Sequence, residues 1–297
     1  MVMNATVFPN PIFRLSFVVA LSLALCPCAT SENQDAALEK ESFVAKSFLR
    51  TYVGCEAPLL EDLGKKYWPK YNMHLREFRF EKHIVRASEN MVISYGLMGP
   101  RIRPDALLAP DKEMTKEQMF SRLARLLQYF DLPPSIDKYE ILAPKDPDEF
   151  AWEVRLPYNV NGTPVRKVDA FYASIMEWEA TPRHVSVHGP VTPSNDPKEV
   201  VNAESAVSVA RDFLSRFFKV TPEEVFPNFS KHLSVQRVIS SDQDCLWGDC
   251  FGGGDEVKYY YCWEVKYVSP GEEKGVSILV RMDNGNIIAG EDARPHF

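Results

Sequence analysis

The chain has 297 residues, of which 45% are hydrophobic and 25% are charged. This composition is typical of a folded globular protein and excludes an intrinsically disordered one, and the length allows two domains or one large domain. The formal net charge of −7 and the lack of any Lys/Arg run exclude an electrostatic surface for nucleic acid or for an anionic membrane. We therefore expect no nucleic-acid partner.

Residues 1–31 are predicted to be a secretory signal peptide and not part of the fold. Arg14 precedes an uncharged apolar run at 15–25, and small residues follow at 29–31, which is the layout of an export signal with its cleavage site. The run is shorter than the roughly 20 apolar residues that span a bilayer, so we expect no transmembrane span in the mature chain. We expect an exported protein, either periplasmic or secreted.

A lipoprotein anchored through Cys26 or Cys28 is the alternative interpretation of this segment. It is disfavoured because Leu25 and Pro27, the residues just before those cysteines, are not the small ones that a lipoprotein signal peptidase prefers. We therefore expect export without a lipid anchor.

Export also determines how the cysteines of the mature chain are interpreted, because disulfides form in oxidising compartments. Cys55, Cys245, Cys250 and Cys262 remain after removal of the signal, and four cysteines permit two disulfides in three connectivities. We expect Cys245 and Cys250 to bridge and close a tight loop, with Cys262 competing for the same partner. A zinc site is disfavoured because Cys55 is far from the others in sequence, and we expect neither a metal nor a cofactor.

Residues 32–111 are expected to form an N-terminal helix followed by strands. The polar residues 32–41 are interpreted as a flexible lead-in, and apolar side chains recur at helical spacing over 42–53. Extended segments follow at 74–80 and 91–95, and three prolines mark 99–112 as a connector. A degenerate first copy of the unit described next is one interpretation of this region.

Two further helices have clear start signals. An apolar stripe predicts a helix over 114–132, which Thr115 and Gln118 begin with a capping box and a Pro-Pro pair ends. A second stripe predicts a helix over 202–218, which Asn202 caps.

Each of these helices is followed by a pair of strands. Apolar and polar residues alternate at 150–156, so one face of that strand is expected to pack on the helix and the other to meet solvent. Asn161-Gly162 predicts a tight turn into a second strand over 168–178. The second pair is predicted at 261–267 and 276–282, with a Pro-Gly turn between its strands.

The two helix-and-strand segments, 112–190 and 200–297, therefore have the same order. Trp152 and Trp263, at the centres of their strands, each lie thirteen positions before a valine. We predict an α+β fold built from tandem helix-plus-antiparallel-sheet units, with both tryptophans buried against their helices.

Three shared features carry a family resemblance. They are the helix before the sheet, the strand centres Trp152-Glu153-Val154 and Trp263-Glu264-Val265, and a closing turn at 282–288. With these features the chain resembles the PepSY domains of repeated bacterial envelope proteins, although the first unit departs from the pattern at 177–182. The resemblance implies a propeptide-like or regulatory module associated with extracytoplasmic peptidases, with no catalytic residues to carry over.

The resemblance therefore implies a non-enzymatic exported binding or regulatory protein, with a peptidase or an envelope component as its protein partner. A secreted hydrolase whose site is assembled from distant residues is the alternative, because catalytic triads need no proximity in sequence. The sequence contains no Gly-x-Ser-x-Gly elbow, no His-Glu-x-x-His helix and no phosphate-binding loop. A ligand carrier is the third hypothesis, and an enclosed apolar cavity would favour it.

The candidate binding residues are Trp247 and Phe251. Trp247 lies among polar residues between Cys245 and Cys250, and Phe251 follows them, so a disulfide-closed loop would present two large aromatic side chains to a partner. The alternative is that both fold down onto the sheet.

Two other groups of residues are tested for metal binding. His184 and His188 share one face of a strand but lie about 13 Å apart at the strand rise, too far for one ion, so we interpret both as solvated. A calcium site in the acidic loop is disfavoured because the loop lacks the glycine and glutamate placement of a calcium-binding loop; its aspartates are Asp242, Asp244, Asp249 and Asp255.

Overall fold

The computed structural model describes residues 29–98, 114–144, 151–176, 179, 181–219, 221, 224, 233–242, 257–268 and 275–292. Along this part of the chain a helical segment followed by four strands occurs three times. The first segment is α1 (Ala29–Phe48), continued by a π-helical turn (Leu49–Val53), with β1 (Leu59–Trp68), β2 (Met73–Phe80), β3 (His83–Ala87) and β4 (Val92–Leu97).

The second and third segments have the same order. The second is α2 (Lys116–Ser121), α3 (Ala124–Tyr129), β5 (Glu140–Leu142), β6 (Ala151–Val160), β7 (Thr163–Met176) and β8 (His184–Val187). The third is α4 (Ala203–Phe218), β9 (Leu233–Ser241), β10 (Tyr259–Val268), β11 (Gly275–Arg281) and β12 (Ile287–Asp292). The predicted α+β class is confirmed.

The twelve strands form one continuous sheet. Strands β1 to β8 are antiparallel in the order β1-β2-β3-β4-β8-β7-β6-β5, and we call this part the first sheet. Strands β9 to β12 form an antiparallel meander. The two parts join where Val165 of β7 pairs in parallel with Ile239 of β9.

One hydrophobic core lies between the first sheet and the helices α1, α2 and α3. Phe48 of α1 is buried against Tyr129 of α3, with ring centroids 5.2 Å apart. The Tyr129 hydroxyl also accepts a hydrogen bond from the backbone N–H of Val92, at 2.8 Å. The first two segments therefore share one core, whereas α4 packs on β10 and β11 over a second core.

Both tryptophans of the predicted repeat lie within these cores. Trp152 is buried in the first core. Trp263 is partly buried between the core under α4 and a third cluster around Val165, and its indole N–H donates to the carbonyl oxygen of Val201 at 2.8 Å. The third cluster also holds Val191, so the second and third segments are packed against each other there.

The start signals of the helices are also confirmed. Thr115 and Gln118 form the reciprocal capping box, and the Asn202 side chain accepts a hydrogen bond from the backbone N–H of Ser205. Both side chains satisfy backbone donors that have no partner within the helix.

Two predictions about helices were wrong. Residues 32–41 are not a flexible lead-in but part of α1, where the buried Glu41 carboxylate bonds Arg76 and Lys65.

The single helix predicted over 114–132 is interrupted after Ser121, because the N–H groups of Arg122 and Leu123 bond carbonyls only three residues back. The Arg122 guanidinium donates to the carbonyl oxygen of Glu179, at 2.7 Å.

A buried carboxylate links β7 to the meander. Glu264 of β10 accepts hydrogen bonds from Arg166 of β7 at 2.9 Å, from Ser277 at 2.7 Å and from Gln236 at 2.6 Å. Burial acts to raise the pKa of the Glu264 carboxyl, but the hydrogen bonds from Gln236, Ser277 and Arg166 outweigh it and hold the pKa below its ordinary value.

We predict that Glu264→Gln lowers the free energy of unfolding by about 3 kcal/mol at pH 7, because it removes the buried negative charge that Arg166, Ser277 and Gln236 bond. The contribution of this carboxylate is complete above the ordinary pKa of 4.5 and is lost as the pH falls through the depressed pKa. Urea titrations at pH 7 and pH 3 measure both effects. Glu56→Gln is the matched control, because the Arg50–Glu56 pair is exposed and should contribute little; equal losses in the two variants would contradict the prediction.

Candidate functional site

The two faces of the first sheet differ in chemistry. Alternation along the strands turns Phe78, Tyr95 and Phe171 toward the helices, into the first core. We call the other side of the sheet the open face. The strand registers align one row of polar residues across it, from β2 to β5: Glu77, Arg86, Ser94, Ser186, Tyr172, Arg155 and Glu140. We call these residues the polar row.

One end of the polar row is held by aromatic side chains. The Cζ atom of Arg86 lies 3.9 Å from the centroid of the Trp68 ring, and its Nε lies 2.6 Å from Oε2 of Glu77 without the alignment of a hydrogen bond. The Tyr71 hydroxyl donates to Oγ of Ser94 at 3.0 Å. Arg86 and Ser94 are therefore fixed in place by stacking, charge and hydrogen bonding together.

Toward the other end of the polar row, Tyr172 and Arg155 share one hydrogen-bond partner, Glu153. Glu153 accepts a hydrogen bond from Nη2 of Arg155 at 2.5 Å and one from the Tyr172 hydroxyl at 3.1 Å. Burial, reinforced by the Glu153 charge, raises the pKa of Tyr172 to about 12. The Tyr172 hydroxyl is therefore protonated, and can donate, at any physiological pH.

Two histidines of β8 and its C-terminal end also lie on this face. The His184 ring stands 5.7 Å from that of Tyr172, and His188 places Nδ1 2.8 Å from the Gly189 carbonyl oxygen and Nε2 3.3 Å from the Tyr259 hydroxyl. The interpretation of both as solvated is wrong, since both are partly buried. The reason is that Tyr172 packs beside His184, and Tyr158 and Tyr259 pack on His188.

Burial and nearby cations determine the protonation of these histidines. Burial, reinforced by the charges of Lys70 and Arg86, lowers the pKa of His184 to about 4. Burial also lowers the pKa of His188, although the Gly189 carbonyl opposes it. Both imidazoles are therefore neutral at pH 7.

A cleft of about 250 Å³ opens between the polar row and the turn that connects β1 to β2. The turn is tied to the end of β8, because the Gly189 N–H donates to the Tyr71 carbonyl oxygen at 2.9 Å. Three cations and one carboxylate are among the residues that line the cleft, which are Lys70, Tyr71, Arg155, Lys167, Val168, Asp169, Tyr172, Ser186, Val187 and His188. Burial raises the pKa of the Asp169 carboxyl, and the nearby Arg155 charge only partly opposes this.

The site residues selected from the sequence are mostly outside the part of the chain that the structure describes. Trp247, Phe251, Cys245 and Cys250 are outside the described residues, so the predicted bridge and aromatic loop stay predictions. Cys262 is fully buried beside Val238 and Leu279, on the face opposite Trp263, and its thiol donates to the Tyr260 carbonyl oxygen. Within the described ranges no group of three or more His, Cys, Asp or Glu side chains could hold a metal ion.

The polar row was not predicted from the sequence, because the Asn161-Gly162 turn indicates a different pairing of β6 with β7. Counting back from the Asn161-Gly162 turn would place Arg155 opposite Val168. The structure pairs Arg155 with Tyr172 instead, because the β6–β7 register shifts twice around Pro157. Lys167 lies in this irregular part of β7 and has a positive φ of 57°, a conformation that is uncommon for residues other than glycine.

No protein-family model matches the chain, and no match was found among curated proteins. Among solved structures, the Bacillus megaterium YpeB C-terminal domain is similar over 85% of this chain and 97% of that domain, with 8% sequence identity and a TM-score of 0.42. Among the described residues, every helix is too short or too polar to cross a bilayer.

We predict that the His184 ring titrates near pH 4, and not near its ordinary pKa of 6.5. The unfolded chain then binds this proton more readily than the folded chain, so the contribution of His184 to stability is complete above pH 6.5 and is lost as the pH falls toward 4. Histidine-resolved NMR titration measures the pKa directly. His184→Gln should remove this part of the pH dependence of unfolding, and a ring that titrates near pH 6.5 would contradict the prediction.

Proposed function

We propose that this chain is an exported, non-enzymatic binding or regulatory protein of the PepSY type, and that the open face of its first sheet is the binding surface. The single observation that carries the proposal is the cleft beside the polar row, where cationic and aromatic side chains converge. Convergent polar groups in a concave site are what ligand recognition requires.

Glu77, Ser94 and Ser186 of the polar row are buried, but Arg86 and Arg155 are partly exposed and are already held in place, as a binding surface would need. Glu153 fixes Arg155 and Tyr172, and Trp68 and Glu77 fix Arg86. Side chains that are already ordered lose little conformational entropy when a partner binds, so more of the interaction energy contributes to affinity.

Two of the groups with acid–base chemistry, His188 and Tyr172, are engaged in structural contacts, which favours binding over hydrolysis. Both nitrogens of His188 face fixed groups, the Gly189 carbonyl and the Tyr259 hydroxyl. The raised pKa of Tyr172 keeps its hydroxyl protonated, so it is a poor general base. A general base needs a pKa near the working pH and reach to the proton it removes.

Export and the class of partner rest on the sequence. The export signal at 1–31 supports action outside the cytoplasm, and the PepSY resemblance supports an extracytoplasmic peptidase as the partner. A regulatory protein of this kind would hold a segment of the peptidase in the cleft and change its rate.

Affinity capture from the secreted fraction of its own culture tests the proposal, using the tagged full chain. We predict that Arg155→Gln reduces capture of the partner roughly tenfold or more, since interface arginines in desolvated pockets are frequent hot spots. The purified partner should be a peptidase whose rate changes when the wild-type chain is added and not when Arg155→Gln is added.

Arg281→Gln is the matched control. Arg281, like Arg155, is partly buried, bonds a neighbouring carboxylate (Asp283) and lies over a tyrosine ring (Tyr260), but it does not line the cleft. Full capture by Arg155→Gln together with loss of capture by Trp247→Ala would move the binding site to the loop at 242–254. Peptide hydrolysis by the purified chain that disappears in Arg155→Gln would support the secreted hydrolase instead.

A further inference from the structure

We infer that the cleft on the open face binds a carboxylate group, namely the C-terminal carboxylate of a peptide chain. This inference rests on the proposed function and specifies its ligand. It follows from the charge, the unused hydrogen-bonding capacity and the size of the cleft.

The charge of the cleft is opposite to that of the chain. The full sequence has a formal net charge of −7, whereas Lys70, Arg155 and Lys167 line the cleft with the carboxylate of Asp169. Glu153 pairs with Arg155 beside the cleft, so cations still outnumber carboxylates among these five residues. A concave site in which charges of one sign are concentrated attracts ligands of the opposite charge. The ligand group is therefore anionic.

Two cations of the cleft, Arg155 and Lys70, retain hydrogen-bonding capacity. Arg155 donates through Nη2 to Glu153, and the described residues offer its Nη1 no acceptor. The exposed Lys70 ammonium lies 5.8 Å from the Tyr71 ring centroid and forms no ion pair with a described residue. An arginine and a lysine that line the same cleft suit a planar carboxylate, which accepts charge-assisted hydrogen bonds from both.

The size of the cleft favours binding of the terminal residue of a peptide over binding of a segment from its middle. A volume of about 250 Å³ is below the range of sites that enclose drug-sized ligands. The neighbouring strand edges are also occupied, because β7 is paired with both β6 and β8 at Tyr172. An extended peptide therefore cannot add to the sheet here, whereas a terminal residue between Tyr71 and Tyr172 fits the space.

Calorimetric titration of the full chain with three short peptides tests the inference. The probes are N-acetyl-Ala-Ala-Leu with a free carboxylate, the same peptide as its C-terminal amide, and N-acetyl-Ala-Glu-Leu amide, whose only carboxylate is a side chain. We expect the free carboxylate to bind with a dissociation constant below about 1 mM and the first amide to bind at least tenfold more weakly. The glutamate peptide should resemble the first amide; if it binds as well as the free acid, a side-chain carboxylate is the ligand and the terminal assignment is wrong.

Matched lysine variants complete the test. Lys70→Gln should weaken binding of the free carboxylate roughly threefold to tenfold, and 0.5 M salt should weaken it as well, because the Lys70 side chain is exposed and salt screens exposed charges. Lys82→Gln, which removes an exposed lysine from the turn between β2 and β3, should leave the affinity unchanged. Thermal unfolding of each variant confirms that it is folded.

Three results would overturn the inference: no binding of the free carboxylate, equal binding of acid and amide, or unchanged affinity in Lys70→Gln. These failures are distinct from failure of the proposed function. If peptide carboxylates do not bind but Arg155→Gln still loses its protein partner, the open face is the binding surface and its ligand belongs to another chemical class.

Discussion

Strand β7 is the element on which the rest of the structure depends. It pairs with β6 along most of its length, with β8 through its C-terminal part, and with β9 through Val165. It also supplies Arg166 to the buried Glu264 of β10. Because breaking a buried ion pair leaves an uncompensated charge, separation of β7 from the meander is costly. One strand therefore joins three helix-and-strand segments into a single sheet.

The same strand creates the candidate site. The register of β6 against β7 shifts around Pro157, and Lys167 adopts a positive φ in the irregular part of β7. A bulge of this kind redirects side chains and is common beside functional sites. Its consequence here is that Arg155 lies beside Tyr172 and that Lys167 and Asp169 line the same cleft. The strand that joins the segments is thus also the one whose irregular part brings the charged groups together.

The predictions that held depend on local chemistry, and those that failed depend on distant contacts. The capping box at Thr115 and the Asn202 cap are short-range hydrogen bonds, so their residue types alone indicate them. Residues 32–41 belong to α1, which Glu41 ties to the sheet through Arg76, a partner that the polar composition of the segment does not reveal. The polar row could not be predicted, because a bulge changes the partner of every residue beyond it, and nothing in the residues around Lys167 specifies that change. The aromatic loop at Trp247 remains a prediction from sequence.

The two candidate surfaces make different use of the fold. The open face offers a rigid and charged cleft, whereas the loop at 242–254 offers aromatic side chains next to two cysteines. Amide hydrogen exchange of the full chain, alone and with its captured partner, discriminates between them most directly. If the open face is the binding surface, exchange should slow in β6, β7 and β8 and in the turn at 69–71, since covering a surface reduces local opening. Slowed exchange confined to 242–254, with these strands unchanged, would contradict the account.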